Sequence, residues 1–211
     1  MKVNEIFRSI QGESSHAGRP CAFVRLAECN LRCVWCDTAY AFHEGVEMSV
    51  DDVIERVRGF GLPLVEVTGG EPLLQEEVYP LMTRLADLGH TVLLETGGSI
   101  SVARVDPRVV KIVDIKCPGS GEADKNLWEN LAHLRPPDEI KFVVAGRADY
   151  EWARAAIRER ALERTASLLI APVHGDVDLE TLAGWILEDH LPARFQIQLH
   201  KVIYGAGRRG V

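Results

Sequence analysis

No run of apolar residues in this 211-residue chain approaches the roughly 20 that cross a bilayer as a helix. The opening residues, MKVNEIFRSIQGE, are polar early and lack the apolar centre of a signal peptide, so a cytoplasmic address with no membrane partner is expected. Positive charge is scarce as well. A formal net charge of −7 argues against a broad surface for nucleic acid or membrane. A small anionic substrate is still compatible, attracted by a local cluster such as Arg25 and Lys116. The chain has no repeat, no low-complexity tract and no Pro/Ser-rich linker, which points to a single domain over residues 1–211, long enough to bury a core. Cysteine is limited to five residues, an odd number, with three in one short loop; that is poor disulfide architecture and good metal architecture in a reducing compartment.

What the chain does have is a rhythm. Short β-branched or apolar runs alternate with helical patterns: CAFVRLA then SVDDVIERVRGFG, LVEVTGG then QEEVYPLMTRLADLG. TVLLETGG and VVKIVDIK follow, each with a weaker helical stretch after it. EIKFVVA precedes DYEWARAAIRERALE, SLLIAPV precedes DLETLAGWILED, and FQIQLHK comes last. Such alternation implies a parallel sheet with right-handed crossovers. Ser49 and Asp178 occupy N-cap positions, and Gly61 and Gly89 stand just past helix ends. About six parallel strands in a chain shorter than the roughly 250 residues of a complete barrel predict a partial, open (β/α) barrel, a trimmed TIM-like α/β fold, with a doubly wound sheet as the alternative. TGGEP, ETGG, DIKCP, APVHG and the final HK all fall at the C-terminal ends of predicted strands, the edge where parallel α/β proteins bind and react.

The densest chemistry lies in ECNLRCVWCDTAY, where Cys29, Cys33 and Cys36 form C-x3-C-x2-C. Three thiolates at this spacing can reach three irons of one cluster. Iron–sulfur clusters ordinarily take four Cys, so three leave one iron open to a ligand. Cys21 and Cys117 are the alternative fourth ligands, although a free Cys beside strand-like sequence is more often a small buried hydrophobe. Structural zinc would want a second Cys/His pair, and His16, His43, His90, His133, His174, His190 and His200 are scattered.

This loop, with Trp35 just before its last Cys, resembles the signature of the radical S-adenosylmethionine superfamily. TGGEP (Thr68 to Pro72) resembles that superfamily's second motif, whose glycines let backbone approach the cofactor. More narrowly, NEIFRSIQGES (Asn4 to Ser14), GRPCAFVRLAECNLRCVWCDT and the terminal QIQLHKVIYG are similar to the 7-carboxy-7-deazaguanine synthases, over nearly the whole chain. The resemblance implies a lyase of 7-deazapurine and queuosine biosynthesis that contracts 6-carboxy-5,6,7,8-tetrahydropterin to 7-carboxy-7-deazaguanine plus ammonia. It implies a 4Fe–4S cluster on Cys29, Cys33 and Cys36, S-adenosylmethionine on the open iron, Mg2+, a homodimer, and a flavodoxin-like or other electron donor.

Residue by residue, it implies S-adenosylmethionine contacts from Trp35, Cys36, Asp37, Gly70, Asp114, Ile115, Lys116 and Ala171, Pro172, Val173 and His174. Asp114 stands where the family often has Ser. Thr38 would bind Mg2+, with Asp37 structural. Ile10, Gln11, Gly12, Glu13, Arg25, Thr68, His200 and Val211 would meet the substrate, Arg25 as a planar fork for its carboxylate and Glu13 orienting Arg25 or the pterin. Lys201 is a further candidate beside His200. No side chain is assigned as catalytic, because the cofactor supplies the radical that takes hydrogen from C6. A glycyl-radical activase would share the cysteine loop but lack IFRSIQGE. The reading from another class is a non-catalytic iron–sulfur or zinc-binding module.

Overall fold

A computed structural model describes residues 1–211. In chain order its elements are β1 (Lys2–Ile10), β2 (Pro20–Leu26), β3 (Val46–Glu47), α1 (Val50–Arg58), β4 (Leu64–Gly69), α2 (Val78–Asp87), β5 (Thr91–Thr96), β6 (Val110–Ile115), β7 (Glu139–Val144), α3 (Arg147–Arg160), β8 (Ser167–Pro172), α4 (Leu179–Glu188), β9 (Arg194–Phe195) and α5 (Leu199–Tyr204). They build one nine-stranded sheet in the order β3-β1-β2-β4-β5-β6-β7-β8-β9. From β2 to β9 every pairing is parallel. β1 runs antiparallel to β2 and to β3. The two edges do not meet, so the barrel is open and mostly parallel, as the strand–helix rhythm predicts.

The six strands expected are β2 and β4 to β8, and their near-continuous apolar runs suit strands buried on both faces. Helix signals are realised too. Ser49 caps α1 in a reciprocal box with Asp52 (3.1 and 3.2 Å), and Asp178 caps α4 through the amide of Thr181 at 2.8 Å. Gly61 and Gly89 take φ of +65° and +86°, where a side chain would be strained.

Three expectations are corrected. The N-terminal segment, outside the strands expected, is a full strand, β1. The stretches after β5 and β6 contain no α-helix: residues 97–109 are irregular and 118–133 hold only short 3-10 turns. Pro107, Pro118, Gly119 and Gly121 punctuate both segments and explain the trimming. FQIQLHK is a strand only at its first residue. After the Gln196 amide bonds to Ile170 at 2.9 Å, the Leu199 amide is taken by the Gly12 carbonyl at 2.9 Å and the Gln198 side chain by Glu13 at 2.9 Å. The chain therefore leaves the sheet and crosses the N-terminal loop, so His200 and Lys201 ride on α5 rather than ending a strand.

Strand alternation sorts the core into two parts. Ala22, Val24, Val65, Val67, Val113, Ile115, Ile140 and Phe142 join the helices in a cluster of 39 buried residues. Cys21, Phe23, Leu64, Leu93, Val110 and Ile112 form a separate plug of six on the barrel interior. Beyond that plug, later interior positions of β2, β4, β5 and β6 carry Arg25, Glu66, Thr68, Glu95 and Asp114.

Candidate active site

Above the plug, one cavity gathers the C-terminal ends of β2 and β4 to β8 with the cysteine loop and the C-terminal segment. Cys29, Cys33 and Cys36 all line it, half-buried and free of disulfides. The loop is held in place by backbone. Glu28, at φ +73°, donates its amide to Ala41 (2.8 Å) and accepts the amide of Glu71 (2.8 Å), while Val34 donates to Ser120 at 3.0 Å. The Leu31 amide already points at Cys29 Sγ from 3.4 Å. Burial pushes the Cys29 and Cys33 thiols up, and at Cys33 the nearby Lys116 ammonium pulls the other way.

Three soft sulfur donors on one wall fit an iron–sulfur cluster. No three His, Cys, Asp or Glu side chains converge closely enough to hold a single ion; thiols serving separate irons stand wider than that. Cys21 and Cys117 do not reach the loop. Cys21 lies in the interior plug and Cys117 in the outer core, and burial pushes both thiols far up, so both behave as the small hydrophobes expected.

Glu71 ties the strand ends together. Wholly buried, it accepts hydrogen bonds from the amides of Leu73 (3.0 Å) and Gly97 (2.7 Å) and from the Thr96 hydroxyl (2.8 Å). That one carboxylate joins the TGGEP and ETGG segments. Gly70, between them and the loop, lies so close to Glu28 that an added Cβ would stand 1.9 Å from its carbonyl oxygen.

Trp35, Cys36, Asp37, Thr38, Thr68, Gly70, Asp114, Lys116 and the run from Ala171 to His174 line the cavity together with Ile10, Gln11, Glu13, Arg25, His200, Lys201 and Val211. Two expected residues do not. Ile115 faces the outer core, since a strand turns successive side chains to opposite faces and Asp114 and Lys116 take the cavity side. Gly12 lies beneath the C-terminal segment, where a Cβ would meet His200 Nδ1 at 2.2 Å. Asp37 is occupied: Lys201 donates to it at 2.6 Å and Gln198 at 3.3 Å, and the Lys201 ammonium holds it below the usual carboxylate range despite burial. The neighbouring Thr38 hydroxyl is committed to no carboxylate and lies 3.8 Å from Cys36 Sγ. It can give Mg2+ one oxygen, with the other ligands coming from water and substrate, a pattern this ion accepts.

Arg25 does not pair with Glu13, as one expectation had it. Its Nε donates to Glu5 at 2.8 Å, and Tyr40 donates its hydroxyl to the same oxygen at 2.9 Å. Glu13 instead belongs to a buried network missed in the sequence. Lys141 donates to Glu13 (2.9 Å) and to Glu95, and lies 3.2 Å from Asp114 Oδ1; Lys116 donates to Asp114 at 2.7 Å. Thr68 donates to Glu95 at 3.0 Å, and Gln11 donates to Glu66. Burial works against every charge here. Lys141 overcomes it for Glu13, and Lys116 then Lys141 for Asp114, holding both below the usual range, whereas Glu66 and Glu95 are pushed up. The available signal was charge inside apolar runs: Glu66 in LVEVTG, Glu95 in TVLLET, Lys141 in EIKFVV.

Residues 25–113 match the radical SAM superfamily. A 7-carboxy-7-deazaguanine synthase of Koribacter versatilis is 48% identical, covering 100% of both chains, and that of Chlorobaculum tepidum is 49% identical over 100% of this chain and 97% of the other. The crystal structure of QueE from Escherichia coli superposes with a TM-score of 0.78 at 24% identity, covering 94% of each chain, and shares the open, mostly parallel fold.

Proposed function

Because the chain belongs to the 7-carboxy-7-deazaguanine synthase family, we propose that its cavity converts 6-carboxy-5,6,7,8-tetrahydropterin to 7-carboxy-7-deazaguanine and ammonia. The observation that carries this is the meeting of two ends of the chain. Gln11, Glu13 and Arg25 from the N-terminal third and His200 and Val211 from the C-terminus face the same cavity as the three thiols.

Cys29, Cys33 and Cys36 hold the 4Fe–4S cluster. With S-adenosylmethionine bound beside it, such a cluster would supply the electron for reductive cleavage of that cofactor. Gly70, Asp114, Lys116 and the Ala171–His174 run form the wall for that cofactor. Arg25, its Nε fixed by Glu5, turns the rest of its fork to the substrate carboxylate. Thr38 lends its hydroxyl to Mg2+, and Gln11 and Thr68 give the ring donors and acceptors. His200, whose imidazole burial favours in its neutral form, offers a neutral donor or acceptor at the mouth. A flavodoxin-like or other electron donor and a homodimer belong to the same reading, as does a cytoplasmic address; no helix is long and apolar enough to cross a membrane.

The test is anaerobic turnover of the reconstituted protein with S-adenosylmethionine, dithionite and the carboxypterin, with and without Mg2+, read by product mass. Formation of 7-carboxy-7-deazaguanine, faster with Mg2+, is expected. Release of 5′-deoxyadenosine with the pterin unchanged would assign the chain to other radical chemistry.

A further inference from the structure

Glu66 occupies a place where a carboxyl group is costly. It is 4% exposed, in register with Phe23 on β2, at the boundary of the apolar plug. Phe7 stacks on Phe23 with centroids 4.9 Å apart, walling that side. Burial, then Glu95 and Glu13, push the Glu66 carboxyl well above its ordinary range.

Every other acid around the cavity is engaged. Glu13 and Glu95 share Lys141, Asp114 has Lys116 and Lys141, Glu5 has Arg25, and Asp37 has Lys201. Glu71 is filled by two amides and a hydroxyl. Glu66 has one side-chain partner, the amide of Gln11, and no ion pair, yet it lines the cavity. An ionised carboxyl can accept about four hydrogen bonds, and one left short of partners under burial is disfavoured in that charged form. A ligand presenting adjacent N–H donors removes that deficit.

We propose that Glu66, oriented by Gln11, determines specificity by binding the 2-amino and N3–H edge of the pterin, the end opposite the carboxylate held at Arg25. This rests on the proposed function. Arg25 pairs with Thr68, two residues beyond Glu66 on β4. That is roughly 7 Å along the strand, the length scale of a fused two-ring system. The cavity is thus polarised, with a cation for the acidic end of the substrate and a lone carboxyl for its donor edge. A ring with oxygen in place of the 2-amino group would set acceptor against acceptor.

The experiment compares binding of 6-carboxytetrahydropterin and its 2-oxo analogue to the reconstituted protein with S-adenosylmethionine, by anaerobic equilibrium dialysis without reductant. Wild type is expected to prefer the 2-amino compound by about 10- to 100-fold. In Glu66→Gln the preference should fall below about threefold or invert, because the amide NH2 can donate to a 2-oxo group. Arg25→Lys should weaken both compounds alike and leave the ratio intact. A wild type that binds both compounds equally overturns the proposal without any variant, so a failure of Glu66→Gln to fold does not shelter it. A folded Glu66→Gln that keeps the full preference overturns it as well. Product formation by wild type separately decides the proposed function.

Discussion

Gly70→Ala is the sharpest perturbation of the cysteine loop. The new methyl would lie 1.9 Å from the Glu28 carbonyl oxygen, 2.6 Å from its carbon and 3.0 Å from Cys29 Cβ. None of these is the free end of a flexible side chain. Reaching an ordinary contact near 3.4 Å requires the loop backbone to retreat by about 1.5 Å. The Glu28 carbonyl also accepts the Glu71 amide at 2.8 Å, so the retreat stretches the bond that joins loop to strand. Overpacking of this kind costs about 1–3 kcal/mol and the weakened hydrogen bond about 1 more. Cys29 is the next residue, and a displacement on the order of 1 Å at a reacting centre can lower a rate about 100-fold. The assay is iron and sulfide content after anaerobic reconstitution, then 5′-deoxyadenosine release with dithionite. Gly61→Ala is the control: nothing lies within 4 Å of its Cβ and φ is +65°, so it should lose about 1–2 kcal/mol through backbone strain while keeping full iron. A Gly70→Ala protein with full iron and a rate within threefold of wild type would refute the claim that this contact sets the loop.

Glu5→Gln removes the charged acceptor of Arg25 Nε without emptying the site, and should raise the KM for the carboxypterin about tenfold or more while leaving uncoupled cleavage of S-adenosylmethionine nearly unchanged; an unchanged KM would remove Glu5 from the positioning of Arg25. Lys141→Met leaves Glu13, Glu95 and Asp114 without their shared cation, and thermal melting should report a loss of about 3–5 kcal/mol, reduced when Glu95→Gln is added. Glu66 gives a pH signature. Its folded pKa lies above the ordinary 4.5, so the native state holds a proton that the unfolded chain releases; its contribution is complete below about 4.5 and is lost as pH rises through the folded pKa. The melting temperature of Glu66→Gln should therefore gain on wild type as pH rises above about 4.5, and a gap that stays constant would show that Glu66 ionises normally.

The parts legible in the sequence are those written in local pattern. Apolar runs located β2 and β4 to β8, Ser49 and Asp178 marked helix starts, and the strand-end motifs do share one cavity. β1 escaped because Asn4, Glu5 and Arg8 break its apolar character, as suits a strand near the sheet edge. Ile115 went astray because a motif names consecutive residues while a strand sends them to opposite faces. The charged floor was illegible for another reason. Lys141 meets Glu13 across 128 residues, and Gln198 meets Glu13 across 185. Such pairs are created by sheet register and by the turn of the C-terminal segment, and neither is encoded near the residues concerned.

Register also explains why the barrel can hold several charges below its cysteine loop. Val65, Val67, Val113 and Ile140 face the helices only if Glu66, Thr68, Asp114 and Lys141 face the interior. Sliding any of these strands by one residue would place a charge among the helices and a valine in the cavity, and both exchanges are unfavourable. The large outer core, which supplies most of the apolar burial, therefore fixes the same register that assembles the polar floor. Burying Lys141 and its carboxylates costs desolvation, which the attraction of the lysines outweighs for Glu13 and Asp114 but not for Glu95; the apolar burial that carries the fold comes from the 39-residue cluster on the other face. A carboxyl such as Glu66 can then remain short of partners in the free protein without threatening the fold. That shortfall is what gives the cavity something to gain from a ring edge lined with N–H groups.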